Sequence, residues 1–380
     1  MTNDIRPFRI EIPQADLDYL QDRLSRTRWT TELPGVGEEY GLSLDYVQGL
    51  VEYWRNGYDW RATEARLNEY PQFTTEIDGQ DIHFLHVRSP EPDATPLILT
   101  HGWPMSIVEY LDVIGPLSDP RSHGVDPANA FHLVIPSVPG FGFSGPTNDK
   151  GWDRYRIAKA WAELMSRLGY DSYGAHGNDG GSLVSPEVGR VDPEHVFGVH
   201  VTQIFSFPSG DPAEFEGLSE KDTAKLEFLQ WFNDNMSAFA KLQATVPQTL
   251  AHALADSPVG QLAWSCQLFG DAVSRDYILD NVMIYWLTNT GGSSARLYYE
   301  DAHAEAPSEP TVVPLGLASF ANDFQSIRRF AERDHKNIVS WNEYDRGSHF
   351  AAHDAPDLLI GDIRAFFASL KPSGSRAGRG

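Results

Sequence analysis

Gly177-Asn178-Asp179-Gly180-Gly181 is the stretch that most limits what this chain can become. A short extended run, 172–176, leads into it, and a helical pattern, 181–188, leads away. Glycines flanking a central polar residue, between strand and helix, permit a sharp, strained turn that presents the central side chain as a nucleophile. Here the central residue is Asp179. No Gly-x-Ser-x-Gly occurs in the 380 residues, so chemistry built on a serine at such a turn is disfavoured.

A carboxylate attacks esters poorly. It is an adequate in-line attacker of an sp³ carbon that bears a leaving group, and the product is a covalent alkyl ester. Water can cleave that ester if a base and an oxyanion hole are at hand. Strained epoxides and alkyl halides both fit this chemistry. Asn-Asp-Gly-Gly is also good turn chemistry, so the residues around Asp179 must decide whether it is a nucleophile or an ordinary turn residue.

The rest of the chain supplies a frame for such a turn. Phe73, Thr75 and Ile77 alternate up to Asp78-Gly79, and an apolar run follows at 82–87, the signature of a β-hairpin. Short apolar runs at 96–100, 131–136, 172–176 and 197–201 then alternate with helical patterns. The helix before the turn carries Ile157, Trp161, Leu164, Met165 and Leu168 on one face. This alternation predicts an α/β fold with a mostly parallel central sheet.

Residues 210–305 break the rhythm with aromatic-rich helical patterns, and strand patterns return at 311–315 and 337–341 before a last helix, 356–370. The reading is a helical cap, 210–305, inserted into a core of 73–209 and 306–370. Residues 1–72 read as helices that wrap over the core, with Leu17, Leu20 and Leu24 on one face and Val47, Leu50, Val51 and Trp54 on another. The tail 371–380 lacks large apolar residues and is expected to be disordered.

Charge and cysteine use narrow the partners. Thirty basic against 53 acidic residues leave a net charge of −23, which repels phosphates and argues against nucleic acid and anionic membranes. Cys266 stands alone, which forbids an internal disulfide and suits a reducing cytoplasm. The start lacks an apolar signal core, and no apolar run reaches the roughly 18 residues that a membrane helix needs. A soluble protein is expected.

Three further stretches bear on Asp179. His101-Gly102-Trp103-Pro104 follows the run 96–100. In α/β-hydrolases, the loop after that strand and the residue after the nucleophile each offer a backbone N–H to the oxyanion hole; here these are Trp103 and Gly180. Gly347-Ser348-His349-Phe350 puts a histidine after the last strand, in the α/β-hydrolase order of elbow, acid, histidine. Asp323 lies between them and is positioned to orient His349. His349 and His353 also form an H-x-x-x-H, but no accompanying glutamate makes it a zinc motif, and no metal is expected. Gly140, Gly142 and Gly145 spell G-x-G-x-x-G but run into Pro146 with no helix opening there, so NAD and FAD are rejected and no cofactor is expected.

With these stretches in view, residues 6–370 resemble the microsomal-type epoxide hydrolases, including the juvenile-hormone hydrolases and soluble bacterial relatives. The resemblance rests on Val51-Glu52-Tyr53-Trp54, Tyr58-Asp59-Trp60-Arg61, Leu67-Asn68, Pro71-Gln72-Phe73 and Ile82-His83-Phe84-Leu85-His86-Val87. It continues through His101-Gly102-Trp103-Pro104, Pro139-Gly140-Phe141-Gly142-Phe143-Ser144, Asp256-Ser257-Pro258-Val259-Gly260 and His349-Phe350-Ala351-Ala352. It implies an α/β-hydrolase fold with a helical cap and an N-terminal wrapping segment, acting on a small-molecule epoxide and water. Asp179 would be the nucleophile, His349 the water-activating base and Asp323 its carboxylate partner. Tyr298, in Ser293-Ser294-Ala295-Arg296-Leu297-Tyr298, would hydrogen-bond the epoxide oxygen. A homodimer is expected only by analogy with relatives. Where the mammalian enzymes have a membrane anchor, this chain has only Met1 to Ile5.

The chain departs from the family at two positions. Counting back from Gln243, Phe239 stands where the family has a second tyrosine, and Gly180 stands where it usually has tryptophan. A roomier pocket beside the nucleophile predicts a bulky or aryl epoxide, such as an intermediate of natural-product biosynthesis. Two rivals share the residues: a haloalkane dehalogenase, with Trp103 as half of a halide cradle, and a non-catalytic binding protein of the same fold.

Overall fold

Nine strands form one sheet in the order β1-β2-β3-β5-β4-β6-β7-β8-β9. They are β1 (Arg6–Phe8), β2 (Gln72–Ile77), β3 (Gln80–Val87), β4 (Thr95–Thr100), β5 (Phe131–Pro136), β6 (Tyr173–Gly177), β7 (Val196–Val201), β8 (Leu315–Ser319) and β9 (Ile338–Glu343). The structure, a computed structural model, describes residues 4–270 and 273–370. The tail expected to be disordered, 371–380, lies outside the described residues.

From β5 across to β9 all neighbours are parallel, while β1, β2 and β3 add an antiparallel flank. Asp78 and Gly79 both take positive φ, 53° and 77°, as a two-residue hairpin turn requires, and Ile77 faces Gln80 across it. Parallel strands are covered on both faces, which is why β4 reads as a continuous apolar run. Leu97 and Leu99 pack with Ile363, Phe366 and Phe367 on one side, and Ile98 packs with Trp161, Leu164 and Val184 on the other.

Two expectations change. Residues 6–8 are not helical but form the edge strand β1, paired with β2. Three residues are too few to show a period, and Phe8 is held by the rings of His83 and Phe143. The strand expected at 311–315 lies at Leu315–Ser319 instead, and Thr311 makes only an isolated bridge to His335. Val312 and Val313 attract a strand reading, but Pro314 has no N–H to give the ladder, so regular pairing starts after it.

Between β7 and β8 the described chain is helical, and its helices form the cap. The cap helix Arg275–Leu287 is buried for most of its length. The N-terminal helices Leu44–Asn56 and Trp60–Leu67 lie against it, with Leu50, Val51 and Trp54 buried. Tyr58 and Thr63 donate their hydroxyls to Asp280 Oδ1 at 2.7 and 2.6 Å, and Trp54 Nε1 sits 3.1 Å from Met283 Sδ. The glycine-rich loop after β5 is a docking point for the cap. A Cβ at Gly140 would come within 3.1 Å of Ser293 O, and the Gly142 N–H donates to Thr290 Oγ1 at 3.0 Å.

Candidate active site

β4 and β6 are neighbours, with Thr100 opposite Gly177, so the chain segments that leave them meet. The loops after β7, β8 and β9 emerge on the same C-terminal edge, where parallel sheets hold their ligands. Asp179 tops the turn after β6 with φ 53° and ψ −119°, a conformation costly for any residue but glycine. Two glycines make it fit. A Cβ at Gly177 would lie 2.0 Å from Gly181 O, and one at Gly181 would lie 1.8 Å from Thr100 O. Gly180 is different, since a Cβ there would meet only Gly102 Cα at 3.6 Å and Leu297 Cδ2 at 4.0 Å.

Gly102 lets the second loop close on the carboxylate. Any Cβ at that position would stand 2.2 Å from Asp179 Oδ1, and with none present the Trp103 N–H donates to that oxygen at 2.9 Å. His349 Nε2 lies 3.5 Å from Asp179 Oδ2, and His349 Nδ1 lies 2.8 Å from Asp323 Oδ1. Asp179, His349 and Asp323 are thus contiguous, though far apart in sequence. His353 points elsewhere, to Asp112 at 2.9 Å.

Burial alone would push the Asp179 carboxyl up, but His349 and the N–H groups of Trp103 and Gly180 outweigh it and hold the group below its usual range. For His349 burial acts downward, and the two flanking carboxylates, Asp323 first, raise it well above an ordinary histidine. The two carboxylates therefore favour the imidazolium form of His349 in the unreacted site.

The wall beside Asp179 is aromatic. Phe239 stacks on Trp103 with ring centres 5.4 Å apart, and Tyr298 meets both rings edge-on at 6.1 Å. Burial and then the Asp179 charge drive the Tyr298 phenol far up, so it stays protonated. Its hydroxyl makes no hydrogen bond among the described residues. Phe239 brings no hydroxyl to this wall, and nearby Tyr285 donates its own to Met105 O at 2.6 Å. A groove of about 1140 Å³ between the N-terminal loops and the cap, lined by Trp29, Tyr40 and Trp264 among others, does not reach Asp179 itself.

Sequence reasoning missed the polar layer behind these residues, made of Gln203, Asn178 and Glu109. All three are buried. Burial pushes the Glu109 carboxyl up to about 8, so it is protonated at neutral pH. The one available signal was position, because Gln203 follows a buried strand at the edge where functional side chains gather.

A parallel sheet, an elbow bearing a carboxylate and a histidine held by a second carboxylate define an α/β-hydrolase with aspartate, not serine, at the elbow. Residues 5–110 match the family model "Epoxide hydrolase N terminus". Over 97% of the chain, covering 86% of the relative, it is 43% identical to a Stigmatella aurantiaca protein that bears a provisional epoxide hydrolase name. It is 33% identical to epoxide hydrolase 1 of Sus scrofa, over 97% of this chain and 89% of that one. Among solved structures, the Aspergillus niger epoxide hydrolase matches with a TM-score of 0.85 and 30% identity, over 97% of each chain. The chain belongs to the epoxide hydrolase family. Among the described residues no helix is long and apolar enough to cross a membrane.

Proposed function

We propose that this enzyme hydrolyses an epoxide to a vicinal diol through an alkyl ester on Asp179. The observation that carries the reading is the His349 ring lying between Asp179 and Asp323, with the Trp103 N–H on the Asp179 carboxylate. Asp179 attacks a ring carbon, the ring C–O bond breaks, and the Tyr298 hydroxyl supports the leaving oxygen. Ester formation removes the Asp179 charge, so the imidazolium loses one of its two anionic neighbours and its acidity rises. Its proton passes to the alkoxide, and His349 becomes a neutral base at the moment one is needed.

His349 then takes a proton from water, and the hydroxide adds to the Asp179 carbonyl carbon. The N–H groups of Trp103 and Gly180 stabilise the resulting oxyanion. Collapse releases the diol as its oxygen takes the proton back, and the new Asp179 acid returns its proton to His349. Atoms balance as epoxide plus water to diol, with no cofactor.

For the substrate we favour a bulky or aryl epoxide, including intermediates of natural-product biosynthesis. Space beside Gly180 and the aromatic wall of Trp103, Phe239 and Tyr298 support this choice. The unpaired, buried Cys266 fits a cytoplasmic setting.

The test is a single turnover with excess enzyme in ¹⁸O-labelled water, using styrene oxide and trans-stilbene oxide, followed by peptide mass analysis. Label on Asp179 together with diol supports the reading. Diol with Asp179 unlabelled refutes the nucleophile. Halide release from a haloalkane without any diol replaces the reading with dehalogenation.

A further inference from the structure

Gln203 is the second residue after β7 and is fully buried, yet every polar atom of its side chain is engaged. Its Oε1 accepts the Asp179 backbone N–H at 2.8 Å, with the hydroxyls of Thr202 and Ser182 at 2.9 and 3.0 Å from the same oxygen. Its Nε2 donates to Asn178 Oδ1 at 2.8 Å and to Asp323 Oδ2. The partners dictate which end is which, since a backbone N–H needs an oxygen and a carboxylate needs an N–H. Asn178 is fixed in the same way, because its Nδ2 donates to the His349 carbonyl at 2.9 Å. Two side-chain amides thus join the backbone of Asp179, the backbone of His349 and the carboxylate of Asp323.

The two oxygens of Asp323 have different tasks. Oδ1 faces His349 Nδ1 at 2.8 Å and accepts the Phe324 N–H at 2.7 Å. Oδ2 is held by Gln203. A carboxylate gripped at both oxygens cannot turn about its Cβ–Cγ bond without losing a partner, and its plane sets the imidazole that aims Nε2 at Asp179.

We propose that Gln203 is the positioning residue for the ester-hydrolysis half of the reaction, aligning Asp323 and, through it, His349. The assignment rests on the alkyl-ester mechanism proposed above. Ring opening depends chiefly on the Asp179 carboxylate and the Tyr298 hydroxyl; Gln203 reaches Asp179 only at its backbone N–H, and His349 enters this half only to protonate the alkoxide once the ring bond has broken. Ester hydrolysis depends on the base, which Gln203 aligns at one remove.

The experiment is a quenched single turnover of styrene oxide by the full chain, wild type beside Gln203→Met and Gln203→Glu. Epoxide loss, ester on Asp179 and diol are followed separately. Gln203→Met keeps the length and removes the hydrogen bonds. It is expected to open the ring within about threefold of wild type but to hydrolyse the ester about 10-fold to 100-fold more slowly, so that ester accumulates. Gln203→Glu keeps an oxygen for the Asp179 N–H and sets a second carboxyl against Asp323. Added negative charge near the imidazole moves the acidic limb of ester hydrolysis up by about one pH unit or more.

Equal slowing of both halves in Gln203→Met, or wild-type hydrolysis with an unmoved limb in Gln203→Glu, overturns the assignment. Where Gln203→Met does not fold, the limb in Gln203→Glu decides. Wild-type protein that forms diol in ¹⁸O-labelled water and leaves Asp179 unlabelled overturns the proposed function itself, a result distinct from ester that the variants clear at the wild-type rate.

Discussion

Gly102→Ala adds a single methyl group at the tightest point of the site. That carbon would stand 2.2 Å from Asp179 Oδ1 and 2.4 Å from Asp179 Cβ, where a relaxed contact needs more than 3 Å. Either the carboxylate or the Trp103 loop must retreat by about 1 Å, and the 2.9 Å hydrogen bond from the Trp103 N–H is lost with it. Losing one such donor costs about 2.7–4 kcal/mol in the transition state, or 100-fold to 1,000-fold in rate. Gly180→Ala is the control, because its methyl group meets nothing closer than 3.6 Å and its N–H is retained. The assay is the single-turnover rate on styrene oxide, with thermal melting to confirm that both variants are folded. Gly102→Ala is expected to lose at least 100-fold and Gly180→Ala less than threefold. A folded Gly102→Ala with near wild-type turnover would show that the close approach of this loop does nothing for the chemistry.

Four other outcomes follow from the structure. Tyr298→Phe should slow ring opening by about 100-fold or more and leave hydrolysis of preformed ester unchanged, while Phe239→Tyr should speed ring opening by about 10-fold; rapid-quench kinetics separate the two halves, and an unaffected ring-opening rate in Tyr298→Phe removes it from the mechanism. His349→Gln should stop after the first half, leaving intact protein heavier by the mass of one epoxide, and continued turnover would exclude His349 as the base. Thermal stability should fall between pH 7 and pH 5. Burial holds His83 down to about 3 and His101 and His335 to about 4, and it puts His176 well below the usual value. The unfolded chain takes up those protons from about pH 6.5 downward and the folded chain does not, so this stability is present above 6.5 and lost on acidification. His86 and His132 are held down in the same way, whereas His349, His195 and Glu109, whose folded values are raised, lose their contribution as pH rises instead. At about 1.4 kcal/mol per unit, His83 alone removes on the order of 5 kcal/mol by pH 3. A melting temperature that is equal or higher at pH 5 contradicts this account.

The elements that sequence reading located best are those whose signal is local. Asp78-Gly79 must turn in one way, β4 must be buried on both faces, and Gly177 and Gly181 mark a turn that excludes side chains on either side of Asp179. β1 escaped because three residues carry no period, and β8 was misplaced because two valines spoke for a strand that Pro314 delays. Gln203 was illegible for another reason. Nothing near it in sequence distinguishes it from any other polar residue at a strand end, and its partner Asp323 is 120 positions away. Phe239 could be counted into its place, but only the fold shows that it stacks on Trp103.

Asp280 ties the cap to the N-terminal helices through a buried carboxylate that accepts from two hydroxyls of the other segment. Burial raises the carboxyl, and separating the segments would strand it without those donors in an apolar seam. Residues that look like an optional preface to the catalytic chain are therefore one module with the cap. A chimaera that exchanges caps between relatives must carry residues 44–67 along with the new cap, or the graft will arrive with a mismatched hinge.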